Sequence, residues 1–154
     1  MSDIQKMKIK DPIKSFKYFF DKINKNDIFS IIIVILLGVI NNFSFITNEG
    51  IAPDALSPAY FNIAGNWEIS LGRFGIKFVN MLRFGLVNKT IIVLIALIML
   101  AVSAVIIIRT FEIKNKIGIF FISALIAVAP TFTETYMFIY CAVAYCLAFL
   151  LSTL

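Results

Sequence analysis

Long uncharged apolar runs alternate with short charged stretches along this chain, and the lengths of those runs set the expected architecture. Residues 28–46 read IFSIIIVILLGVINNFSFI and residues 90–108 read TIIVLIALIMLAVSAVIII, neither with a charge. At about 1.5 Å per helical residue, each is long enough to cross a hydrocarbon core of roughly 30 Å. Residues 117–133 form a third, shorter run with Pro130 near its end, where a proline stops a helix with little loss of backbone hydrogen bonding. Residues 136–154 supply a fourth run, so close to the third that the two are expected to form a tight antiparallel hairpin. The expected fold is all-α and integral to a membrane, with about four transmembrane helices.

The connection over residues 47–89 does not read as a linker or as a separate domain, because it is too apolar and aromatic for either. From Trp67 onward the apolar positions recur at helical spacing. Trp67, Leu71, Phe74, Phe78 and Leu82 share one side, while Arg73, Lys77, Asn80 and Arg83 follow a polar stripe. This predicts an amphipathic helix over residues 66–86 lying in the membrane surface. Its cations would meet lipid phosphates, each contact worth on the order of 1 kcal/mol near an anionic surface. An interfacial anchor and a phosphate-binding element fit this pattern equally.

Charge orients the spans. Seven lysines precede Asp27, making residues 1–27 a basic cytoplasmic segment, and Arg109, Lys114 and Lys116 make 109–116 a second cytoplasmic stretch. The 47–89 loop and the turn over residues 133–136 then face outside, with Arg73, Lys77, Arg83 and Lys89 weakening the bias without reversing it. The chain is 60% apolar and 15% charged, which a water-soluble fold could not bury. The net charge of +5 is read as a cytoplasmic flank rather than a nucleic-acid surface, because seven of the lysines sit before Asp27 beside the first span.

Histidine is absent, and the two cysteines, Cys141 and Cys146, fall on different sides of the last predicted helix, so no zinc site or disulfide framework follows. No cofactor is identified, and a divalent metal is compatible with the residues but not indicated. The first apolar run lacks a small-residue cleavage site and reads as a retained span. The chain is still apolar at Leu154, which reads as the amino-terminal part of a longer polytopic protein.

Candidate chemistry concentrates outside the membrane. Asp54 follows Pro53, with Glu49 and Glu68 the other acids of the loop. Such a carboxylate can accept the proton of an attacking hydroxyl during glycosyl transfer, and Pro-Asp is equally a common turn element. Asn41 and Asn42 lie near the outer end of the first span and either bond across helices or mark its wet margin. Glu134 stands in the outer turn with Tyr136, Tyr140 and Tyr145 following, an arrangement that suits a sugar-binding rim or an aromatic belt.

Residues 66–87, NWEISLGRFGIKFVNMLRFGLV, resemble a segment of bacterial multi-spanning glucosyltransferases of the Gtr type II family, where a tryptophan precedes a Gly-Arg-aromatic unit after the first external loop. The order of features downstream is also similar: a long apolar helix, Phe111-Glu112-Ile113-Lys114, an apolar helix ending in Ala-Pro, then Tyr140-Cys141-Ala142 and Ala144-Tyr145. The resemblance covers residues 28–154. It implies a GT-C type enzyme of the bacterial plasma membrane, with a cytoplasmic amino terminus. Such an enzyme moves a hexose, glucose by the family's chemistry, from a polyprenyl-phosphate carrier to a cell-surface glycan such as O-antigen. By position, Asp54 would match the family's essential loop acid and Arg73 its Gly-Arg arginine, suited to the carrier phosphate. Lys77, Trp67, Glu68, Arg83, Glu134 and Tyr140 complete the expected substrate and lipid-phosphate contacts. The chain departs from relatives at Ala55, where a second adjacent acid is common, and at Val143, where many carry an acid. The competing expectation is a small non-enzymatic polytopic protein, an accessory subunit, flippase-like partner or scaffold, in which the same loop is only an anchor.

Overall fold

The computed structural model describes residues 23–47, 69–70, 74–82, 88–136 and 139–154. Among the described residues the chain is all-helical, with no strand. Helix α1 (Lys25–Asn41) opens on a capping box. The Asn24 side chain accepts from the backbone N–H groups of Asn26 and Asp27 at 2.8 and 3.0 Å, and Asp27 Oδ2 accepts from Asn24 N–H at 2.8 Å. At Asn42 the helix breaks, and the short α2 (Phe43–Thr47) follows.

Further along lie α3 (Phe74–Leu82), α4 (Lys89–Thr110), α5 (Lys116–Val128), α6 (Pro130–Thr135) and α7 (Ile139–Thr153). The side chains of Asn88 and Asn115 cap α4 and α5, accepting from the N–H groups of Ile91 and Ile117, each at 3.1 Å. Helix α4 ends with Glu112 in the left-handed region at φ 51°, and Ile113 N–H reaches back to the Ile108 carbonyl at 2.9 Å. This closes the orphan carbonyls of the last turn and leaves only a few residues before α5 begins. Ala129 is extended, as a residue before proline prefers, so α5 stops there and Pro130 starts α6 as its first residue.

Two stretches, Lys89–Thr110 and Lys116–Thr135, are helical, long enough and apolar enough to cross a membrane. Helix α1 is shorter, at 17 residues. Helix α4 occupies the centre, packing against α1, α5 and α7, while α1 also packs along α5, α2 touches α4, and α3 rests on α7. Its burial runs nearly all round, from Ile92 and Val93 through Ala96, Leu97, Leu100 and Ala104 to Ile108. Small residues let the backbones approach closely. At Gly38 of α1, an added Cβ would overlap Leu97 Cδ2 of α4.

Side-chain pairs define the helix directions. Asp27, at the start of α1, meets Arg109 at the end of α4, and Gly38, near the end of α1, meets Leu97 in the first half of α4, so the two run antiparallel. Along α5 and α6 the order is reversed. Ser30 Oγ shares a buried hydrogen bond of 2.8 Å with Ser123 Oγ, and Asn41 Nδ2 donates to Thr133 Oγ1 at 2.8 Å, so α1 and α5 run in parallel. The outer faces stay apolar and exposed, with Ile32, Leu36 and Ile40 on α1, Leu94 and Ile98 on α4, and Phe121 and Leu125 on α5. Exposed aliphatic stripes of this extent suit a lipid surround and would be a liability in water.

Only part of the expected 66–86 helix lies within the described residues. In α3, Lys77 and Phe78 are exposed, which fits one polar and one apolar face turned away from the bundle. Asn80 departs from the expected polar stripe. It is 2% exposed and turns inward with Val79, because α3 lies against α7 rather than standing alone.

Candidate functional site

The two ends of the bundle differ in chemistry. At the end where α1 begins and α4 finishes, Arg109 Nη2 and Nε donate to Asp27 Oδ2 and Oδ1 at 2.5 and 3.3 Å. Asp27 is 1% exposed at its side chain, so this carboxylate is buried and its charge is met by one guanidinium. An open cleft of about 340 Å³ surrounds the pair, lined by Asn24, Asn26, Glu112 and Lys114 among others. Within it Asn24 and Asp27 cap α1, and Asp27 pairs with Arg109.

The opposite end collects the polar groups that chemistry would need. Helix α1 finishes there at Asn41 and Asn42, α4 starts there at Lys89, and α6 finishes there at Thr135. The Asn41 to Thr133 hydrogen bond ties α1 to α6 across the bundle, so Asn41 bonds between helices as well as standing at an exposed margin. Asn42 turns inward and is 1% exposed; its Nδ2 donates to the Gly38 carbonyl at 2.8 Å. Tyr136, just beyond α6, is 2% exposed, packed among the core side chains. Its N–H bonds to the Thr133 carbonyl at 3.2 Å.

The expected site residues divide between what is described and what is not. Asp54, Trp67, Glu68, Arg73 and Arg83 lie outside the described residues. Lys77 is exposed on α3, and Glu134 is exposed on α6. Tyr140 lies in the first turn of α7, at the same end as Glu134, with its side chain outside the described set. Glu134, Tyr140 and the α1 terminus are therefore gathered at one end, and α3, which carries Lys77, packs on the α7 helix that starts there. Among the described residues, no three His, Cys, Asp or Glu side chains converge in a way that would hold a metal.

The sequence pattern does not reveal that Asp27 is a buried ion-pair partner. Its signals were Asn24 three positions before it, the spacing of a capping box, and a lone arginine at the end of a distant span. The burial of Asn42 and Tyr136 had a weaker signal, a polar residue within or beside an apolar run.

Comparison with family models matches residues 43–154 to the family described as Glucosyl transferase GtrII. The match takes in residues 47–89 and everything after them. Comparison with curated proteins and with solved structures finds no match.

Proposed function

From the premise that the chain belongs to the glucosyl transferase GtrII family, we propose that it serves a membrane glucosyltransferase taking glucose from a polyprenyl-phosphate carrier to a cell-surface glycan. The family match over the loop and the apolar helices carries this reading. In this reading α1, α4, α5 with α6, and α7 cross the membrane, α3 lies in the outer surface, and the seven lysines before Asp27 keep the amino terminus in the cytoplasm. The Asp27 and Arg109 end then faces the cytoplasm, beside the lysine-rich segment and Lys114 and Lys116.

The outer end is where the chemistry belongs under this reading. Asp54 takes the proton from the acceptor hydroxyl as that oxygen attacks the anomeric carbon. Arg73, with Lys77 and Arg83, holds the carrier phosphate, which leaves with the electron pair of the broken glycosidic bond. Trp67, Glu68, Glu134 and Tyr140 line the path of the sugar and the acceptor.

The test is replacement of Asp54 by Asn and of Arg73 by Gln in the full-length protein, followed by surface-glycan glucosylation and membrane insertion. Loss of transfer of at least a hundredfold with insertion intact supports the proposal. Unchanged transfer in both variants returns the loop to the role of an anchor in a non-enzymatic protein.

A further inference from the structure

The open cleft around Asp27 and Arg109 has no part in the proposed transfer, yet it holds about 340 Å³, within the roughly 300–1,000 Å³ of small-molecule sites. Its level in the membrane follows from its lining. Asp27 stands directly before the uncharged run 28–46 and Arg109 directly after the run 90–108, so the cleft opens where hydrocarbon gives way to headgroups. Ile108 and Ile113 supply an apolar wall.

Two charges of the cleft are spent on each other and two are left. Asp27 and Arg109 form the ion pair, while Glu112 and Lys114 are both exposed and neither side chain has a partner among the described residues. Glu112 also holds a backbone φ of 51°, a helix-end position that glycine fills at least cost, so a carboxylate is kept at the cleft against the local backbone preference. Asn24 already caps the start of α1, so an anion in the cleft is met by Lys114 rather than by that helix terminus. A purely anionic ligand would be drawn to Lys114 and opposed by Glu112. A zwitterion satisfies both.

We infer that this cleft seats the headgroup of a phosphoethanolamine lipid, with Lys114 on the phosphate and Glu112 accepting from the ammonium. A primary ammonium is favoured over choline because it carries N–H donors for the carboxylate, which a trimethylated nitrogen lacks. A lipid is favoured over the free headgroup because the cleft lies at the apolar boundary. Ile28 and Ile117, exposed near the starts of α1 and α5 at the same end, offer its acyl chains a surface. The inference needs the helices to cross a bilayer and is independent of the transfer chemistry at the outer end.

The test measures, by native mass spectrometry of the full chain in detergent, the binding of short-chain phosphatidylethanolamine, phosphatidylcholine and phosphatidylglycerol, with free phosphoethanolamine as competitor. The native protein is expected to hold phosphatidylethanolamine about tenfold more tightly than either other lipid, and the free headgroup to compete poorly. Glu112→Gly, which suits the left-handed backbone better than glutamate, is expected to erase the preference over phosphatidylcholine. Lys114→Gln is expected to weaken both zwitterionic lipids alike. Equal binding of the three lipids by the native protein, a preference that survives Glu112→Gly, or a free headgroup that competes as well as the lipid overturns the site. None of these results touches Asp54 or Arg73, so the transferase reading stands or falls separately.

Discussion

Arg109 at the end of α4 holds Asp27 at the start of α1 through two hydrogen bonds, the shorter at 2.5 Å, and thereby joins the central helix to the first one at a single end of the bundle. The partners are unequally buried, Arg109 at 22% exposed and Asp27 at 1%. Asp27 also closes the α1 capping box, so one carboxylate serves both the helix start and the interhelical contact.

That inequality predicts unequal losses. Replacing Arg109 by Leu strands a buried carboxylate and is expected to cost about 3 kcal/mol. Asp27→Asn keeps an oxygen for the cap and leaves an arginine able to swing toward solvent, so the loss is expected to be about 1 kcal/mol. Denaturant unfolding in detergent micelles measures both, and an equal or reversed order would mean the pair is not buried as described.

Gly38 and Leu97 form the closest approach of α1 and α4. A methyl group at Gly38 meets a leucine that is 0% exposed and has nowhere to move, so Gly38→Ala is expected to destabilise by about 1 to 2 kcal/mol, in spite of alanine's better helix propensity. Shortening the partner restores room. The double replacement with Leu97→Val is expected to lose less than the two single changes together, and strict additivity in that cycle would remove the contact from the account.

The proposed orientation has a labelling consequence. Lys114 and Glu134 are both exposed, one between α4 and α5 and the other on α6. With Cys141 and Cys146 replaced by Ala, a single cysteine at position 134 is expected to react with an impermeant maleimide added to intact cells. One at position 114 is expected to react only after the membrane is opened. The opposite pattern would turn the proposed active surface to the cytoplasm and end the transferase mechanism as drawn.

Much of the architecture was legible because it depends on local chemistry. The uncharged lengths of 90–108 and 117–133 sit within helical stretches long enough to cross a membrane, and the stop at Pro130 follows from its ring and the restriction it places on Ala129. The family resemblance was likewise carried by short motifs in the chain. Of the candidate site, Asp54, Arg73, Trp67, Glu68 and Arg83 remain readings of the sequence, lying outside the described residues. Lys77 is exposed on α3 and Glu134 on α6.

Apolar period and length determined which segments are helical and which faces are greasy, since both are properties of neighbours along the chain. Only the tertiary structure decided that Asp27 is a buried anchor, that Asn80 turns inward, and that Asn42 and Tyr136 end up buried. These outcomes depend on the register between helices far apart in sequence. No local pattern carries that register, because it is set by where small residues such as Gly38 let two backbones come together.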